Sequence, residues 1–167
     1  MDYLFCYAHD NIGLPLDDSR YQYTVVGREK LIPVSVPDGS LDNPLFSLPG
    51  SLEEPVSFVA YTHESLFGKA VDRLIQQKDH NCYLRRHYEN PFSHTLKSMV
   101  LEKLGFAWLP YSSIVNALRD GRLCRAGDEH WDLEFDVRLY HHSRDSELEQ
   151  AVLQTSEEMG QEALKHG

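Results

Sequence analysis

A histidine beside an aspartate is the pairing here with the most chemical promise, because a carboxylate-held imidazole can ligate a metal or move a proton. His9 and Asp10 make such a pair. No H-x-x-x-H follows anywhere, so the pair is half a metal site at most. His141 and His142 are consecutive on an alternating segment and point to opposite faces, which spoils them as a joint site. His63, His87 and His94 meet only if the fold brings them together. Cys6, Cys82 and Cys124 are widely spaced and form no C-x-x-C, so neither a zinc knuckle nor a dithiol pair is supported. They read as reduced thiols in or near a core; a redox-sensitive thiol is the functional alternative. Cys82 with His87 has no signature of cysteine catalysis. A nucleophile elbow G-x-S-x-G is absent, as are a phosphate loop and G-x-G-x-x-G. The chain is therefore expected not to be an enzyme and to carry no metal or cofactor. A small cytoplasmic enzyme using His63 or His9 remains the weakest class of reading.

The elements that would position these residues follow from length and pattern. A chain of 167 residues makes one domain or two small lobes, and an apolar fraction of 41% can fill a core. The net charge of −10 repels phosphate backbones, and the densest basic run, Tyr83-Leu84-Arg85-Arg86-His87, is short. This segment is not expected to bind nucleic acid by itself. No apolar run is long enough to span a bilayer and no signal peptide is visible, so a cytoplasmic protein is expected.

Residues 2–8 read as a buried strand, ended by turn residues Asn11 and Gly13. Residues 21–26 and 30–36 read as two extended segments, and Pro33 marks the second as an edge or crossover. A loop to Pro55 precedes a buried strand at 56–61. Leu66, Phe67, Ala70, Val71, Leu74 and Ile75 then recur at helical spacing up to about Lys78, with Thr62 or His63 near the start. A strand at 81–88 leads to Asn90-Pro91, a helix start, and Gly105 takes the left-handed position that ends the helix. Residues 106–109 form a short buried strand stopped by Pro110. Ser112 or Ser113 caps a short helix closed by Gly121, and 122–125 is a strand. Leu133, Phe135, Val137 and Leu139 alternate with polar residues as a half-exposed strand, and Ser143 caps a final helix. Alternation of this kind predicts α/β layers with a mostly parallel sheet. The Pro-rich stretch at 37–55 and the turn at Gly127-Asp128 divide the chain into an outer lobe (1–36 and 129–167) and an inner lobe (37–128).

The run Met99-Val100-Leu101-Glu102-Lys103-Leu104-Gly105-Phe106-Ala107-Trp108-Leu109-Pro110, then Ile114 to Arg119 and Gly121-Arg122-Leu123-Cys124, resembles LysR-type transcriptional regulators. It matches the helix, glycine, short apolar strand and L-P of their effector domains, followed by a short helix and a G-x-L strand. Asp2-Tyr3-Leu4-Phe5 and Glu29-Lys30-Leu31-Ile32-Pro33-Val34 resemble the family's early strand and its lobe-crossing strand. The likeness covers nearly the whole chain. Within the family it is nearest to hypochlorite-responsive members, on Phe5, His9-Asp10, Pro15, Tyr61, Gly68 and the 105–110 run. Methionine oxidation is the switch proposed there. The positions aligned with two of those methionines hold Phe67 and Phe92, which form no sulfoxide. Met99 lies at helical spacing and reads as core filler.

The resemblance implies a periplasmic-binding-protein-like (type II) two-lobed α/β domain with the first βα units of the outer lobe missing, and no DNA-binding winged helix in this chain. It implies an effector-binding and oligomerising role, with DNA reached only through that helix. A homo-dimer or higher homo-oligomer is expected, because an open sheet edge near residues 2–8 invites pairing. A free-standing small-molecule (solute) binding protein of the same fold is the alternative. In such folds ligands meet strand ends and helix N-termini at the interlobe cleft, where amide groups and the helix dipole favour anions. Three places qualify: Tyr61, Thr62, His63, Glu64 and Ser65; Asn90, Pro91, Phe92, Ser93 and His94; and His9, Asp10 and Asn11. The resemblance points to the first two as cleft-lining. A carboxylate or other small anion would take the amides of Ser65 or Ser93, with Thr62 and a histidine as side-chain donors. Phe67 and Phe92 would act as aromatic lids. Thr62 and Ser93 as mere helix caps is the plainer reading.

Overall fold

The computed structural model describes residues 3–9, 12–14, 21–40, 42–77 and 81–142, together with 154, 155 and 158. The chain divides into two compact units, Met1–Glu29 with Glu134–Gly167, and Lys30–Leu133. In the first, β1 (Leu4–Ala8) pairs antiparallel with β7 (Leu133–His142), and β7 neighbours β2 (Tyr21–Ser35). Phe135 and Leu139 of β7 are buried, in keeping with the alternation read from the sequence, while Tyr140, on the opposite face, is buried as well. Tyr140 packs on Tyr23, over which Arg138 places its guanidinium at 4.1 Å.

The second unit follows the order β3 (Val56–Ala60), α1 (Leu66–Gln77), β4 (Leu84–Glu89), α2 (Ser93–Leu101), β5 (Ala107–Pro110), α3 (Tyr111–Arg119) and β6 (Cys124–Arg125). The part of β2 from Leu31 to Ser35 pairs antiparallel with β5 and β6. β3 and β4 are parallel, and Phe58 bridges Phe106 in the same sense. The expectation of a mostly parallel sheet is therefore corrected. Parallel pairing is found between the strands joined by α1 and α2, while β1 with β7, and β2 with β5 and β6, are antiparallel. β2 is also one continuous strand rather than two segments. Pro33 is accommodated inside it because a proline lacks only the N–H; its carbonyl still accepts from Ala126 at 2.9 Å.

The core of this unit is aromatic. Phe58 stacks on Phe106, and both rings meet Trp108 edge-on, with centroids 5.2–5.4 Å apart. Trp108 is 1% exposed and donates its indole N–H to the Trp131 carbonyl at 2.7 Å. Leu31, Ile32, Val34, Leu96, Val100 and Ile114 are buried in the same unit.

Gly105 does not take the left-handed position. Lys103 does, at φ 64°. Its N–H reaches the Val100 carbonyl and the Leu104 N–H reaches that of Met99, the paired bonds of a Schellman ending. Gly105 is needed for close approach instead, since a Cβ there would lie 2.7 Å from the Ser57 carbonyl oxygen. Gly121 does end α3 in the expected way, at φ 72°. A lysine at positive φ is strained, so Lys103→Gly is expected to stabilise the protein by about 0.5–1 kcal/mol. A melting experiment should show a rise of about 1–4 °C; a fall would mean that the lysine side chain offsets its backbone.

Other boundaries moved as well. Ser112 and Ser113 lie inside α3, whose N-cap is Pro110. Pro110 belongs to β5 rather than stopping it. The predicted final helix falls mostly outside the described residues, of which Gln154, Thr155 and Glu158 are helical.

Candidate functional site

The turn from β3 into α1 is held by Ser65, not by Thr62 or His63. Ser65 Oγ accepts the Gly68 N–H at 3.0 Å and donates to the Thr62 carbonyl at 2.8 Å, and the Ser65 N–H reaches that same carbonyl at 3.1 Å. A serine one position before the helix does this because its short side chain reaches N3. Gly68 lets the helix start lie against the turn: a Cβ there would sit 2.0 Å from the Thr62 carbonyl oxygen. The Ser65 amide, expected to receive an anion, is thus engaged within the turn.

α2 begins at Ser93, with Phe92 as its N-cap and no side-chain cap. Asn90 and Pro91 therefore precede the helix instead of starting it. Asn90 Oδ1 accepts the Phe92 N–H at 2.9 Å, a turn of the kind asparagine favours. Ser93 is free of capping duty and shares a 2.7 Å hydrogen bond with the Tyr61 hydroxyl. Tyr61 is buried, and its ring meets Phe67 edge-on at 5.4 Å. The turn between β3 and α1 is thereby joined to the start of α2 by a hydroxyl pair. Phe92 stands apart from it, 67% exposed.

His63 belongs to a charged cluster. Its Nδ1 lies 2.6 Å from Asp72 on α1, and its Nε2 lies 3.4 Å from Glu89 and 3.5 Å from Arg86 Nη1 on β4. Arg86 pairs with Asp72 at 2.5 Å and with Glu89 at 3.0 Å, and its Nη1 is 3.5 Å from the Tyr61 carbonyl oxygen. In an unbroken strand, residues three apart face opposite ways. Here Arg86 is opposite Phe58 and Tyr88 opposite Val59, so His87 is one residue too many and forms a bulge. That extra residue turns Glu89 to the side of Arg86.

The structure thus brings Tyr61, Ser93 and Phe67 together, and Thr62, Ser65 and His63 share the adjoining turn. His9 is not among them. It lies in the other unit, where its ring packs on Phe135 at 5.2 Å and its carbonyl accepts the Ile12 N–H. Asp10 and Asn11 lie outside the described residues. Sequence reasoning missed Asp72, Arg86 and Glu89. Asp72 sits nine residues beyond His63, and Arg86 reads only as part of a basic run. A strand bulge leaves no periodic trace that would have linked them.

Among the described residues no group of three or more histidine, cysteine or carboxylate side chains is arranged to hold a metal ion, and no helix is long and apolar enough to cross a membrane. A cavity of about 420 Å³ in the second unit is lined by residues including Phe46, Gly50, Glu54 and Val56 and none of the candidate residues. All three cysteines are unbonded thiols, and burial pushes each above the ordinary thiol range, Cys82 to about 11. Its reactive thiolate at neutral pH is then about a hundredfold scarcer than that of an unperturbed cysteine. Cys82 should alkylate correspondingly slowly in the folded protein and at the ordinary rate in denaturant, as mass spectrometry of labelled peptides would show. Fast labelling in the folded state would revive a redox role.

The family model that matches the chain is the LysR substrate binding domain, over residues 11–161. No curated protein matches. Among solved structures, the regulatory domain of HypT from Salmonella typhimurium in its apo form is 19% identical with a TM-score of 0.77, over 95% of this chain and 72% of that one. Vibrio fischeri DarR in complex with DNA is 24% identical with a TM-score of 0.72, over 86% of this chain and 46% of that one. The regulatory domain of Synechocystis CcmR in complex with 2-PG is 15% identical with a TM-score of 0.67, over 93% and 71%. The chain spans under half the length of the DarR chain that it matches.

Proposed function

The chain belongs to the LysR substrate-binding domain family, and from that premise we propose that it binds a small-molecule effector where Tyr61, Thr62, His63, Ser65 and Phe67 meet Phe92 and Ser93. The observation that carries the proposal is the Tyr61–Ser93 hydroxyl pair, which joins the turn between β3 and α1 to the start of α2. A ligand that prefers one conformation of this domain would shift the population toward it and bias an attached DNA-binding domain by that preference; the chain is taken as an outer lobe, 1–36 with 129–167, and an inner lobe, 37–128. Self-association is part of the reading: among the described residues β1 pairs with β7 alone, and its Leu4 and Phe5 are exposed.

The expected ligand is a small carboxylate or other anion, drawn to the helix starts. A thermal-shift screen of small mono- and dicarboxylates tests this. A true effector at a hundred times its Kd adds about 2.7 kcal/mol, which is a rise of ~5–11 °C. No shift with any member of the panel would count against an anion site.

A further inference from the structure

We propose that Asp72 is the positioning residue of the candidate site: it fixes the orientation and proton placement of His63 and, through Arg86, ties the 61–65 turn to β4. Its two oxygens are divided between two partners. Oδ2 faces His63 Nδ1 at 2.6 Å and Oδ1 takes Arg86 Nη2 at 2.5 Å. A carboxylate only accepts, so a hydrogen bond of that length requires the imidazole proton on Nδ1. In the neutral ring the other nitrogen, Nε2, is then a lone pair; the Glu89 carboxylate 3.4 Å from it is engaged by Arg86 Nη1 at 3.0 Å. The guanidinium agrees with this, because Arg86 Nη1 approaches Nε2 at 3.5 Å as a donor would.

Three elements meet on these groups. His63 and the Tyr61 carbonyl come from the 61–65 turn, Asp72 from α1, and Arg86 and Glu89 from β4. The bulge at His87 is what lets Glu89 join them. Asp72 side-chain exposure is 21% and that of Arg86 26%, whereas His63 is 61% exposed. The half-buried carboxylate and guanidinium form the frame, and the exposed imidazole is the part presented outward.

The inference has a chemical consequence, which rests on the effector-site reading above. An imidazole held with its proton on Nδ1 offers an acceptor at Nε2, not the donor an anion needs. The effector group that meets His63 is therefore a hydrogen-bond donor such as a hydroxyl, an amide or an ammonium, even where another part of the same molecule is anionic. His63 sets specificity and Asp72 sets His63.

The test reads the ring directly. Nitrogen-15 spectra of the imidazoles, with His63 assigned by its loss in His63→Gln, report which nitrogen carries the proton in the neutral form. The wild type is expected to show the proton on Nδ1. Asp72→Ala should move it to Nε2, and amide hydrogen exchange at residues 61–65 should speed up about tenfold, while Trp108 and Leu109 of β5 stay protected. Arg86→Ala should leave the proton on Nδ1. If Asp72→Ala does not fold, Asp72→Asn keeps the side-chain shape and is read for the same exchange increase. A wild-type proton on Nε2 would overturn the proposal, as would unchanged exchange at 61–65 in the folded Asp72 variant. Neither readout involves a ligand, so failure of the carboxylate screen and failure of this proposal are separately visible.

Discussion

Gly68→Ala should destabilise the protein by about 3 kcal/mol, at the upper end of what added volume in a packed place costs. The atom in the way is not a side chain that can swing aside. A Cβ at this position lies 2.0 Å from the Thr62 carbonyl oxygen, 2.9 Å from the Thr62 carbonyl carbon and 2.8 Å from Ser65 Oγ. The turn must open or the helix must move. Either response breaks the Ser65 cap, because Oγ bonds the Gly68 N–H and the Thr62 carbonyl at once. A fall of ~6–12 °C in the melting midpoint is the expected signature. Calorimetry with Gly13→Ala as a control is the measurement, since a Cβ at Gly13 meets nothing within 4 Å. Equal effects at the two glycines would show that the tight approach is not what Gly68 is for.

Trp108→Ala carries the other large effect, about 4 kcal/mol, or ~8–16 °C. Two losses combine. The indole fills the space between Phe58, Phe106 and Trp131, and none of these rings can close the gap without leaving its own packing. Its N–H also satisfies the Trp131 carbonyl in a buried place. Trp108→Phe separates the terms, because it keeps most of the ring volume and removes the donor. It should cost about 1–2 kcal/mol. Denaturant unfolding of both variants distinguishes the contributions; equal losses would mean that the hydrogen bond, not the packing, dominates.

What the sequence disclosed depended on the kind of signal. Val71 and Leu74 of α1 and the alternating Phe135 and Leu139 of β7 announced themselves by period, and each is buried as its period requires. Tyr61 and Ser93 were chosen because strand ends and helix starts gather polar groups, and they meet. Local chemistry was harder to place. Asn90-Pro91 has the residues of a helix start, yet Asn90 spends its side chain on the Phe92 amide and the helix waits until Ser93. Gly105 looked like a left-handed cap, but sterics against Ser57 claimed the glycine while Lys103 took the strained backbone. The direction of strand pairing was illegible, because a period of two is the same in parallel and antiparallel ladders. The cluster of Asp72, Arg86 and Glu89 was equally hidden. It depends on one extra residue in β4, and only the register against β3 reveals that.

The central claim is that an effector binds where the turn before α1 is joined to the start of α2. Backbone amide NMR of the chain, titrated with the compounds that raise its melting midpoint, tests it most directly. The account predicts that the amides of Tyr61, Thr62, His63, Ser65, Phe92 and Ser93 shift together and saturate at one Kd, and that Tyr61→Phe weakens that Kd about tenfold by removing one hydroxyl of the pair. Shifts confined to the cavity around Phe46, Gly50 and Val56, with the Tyr61 and Ser93 amides unmoved, would contradict it.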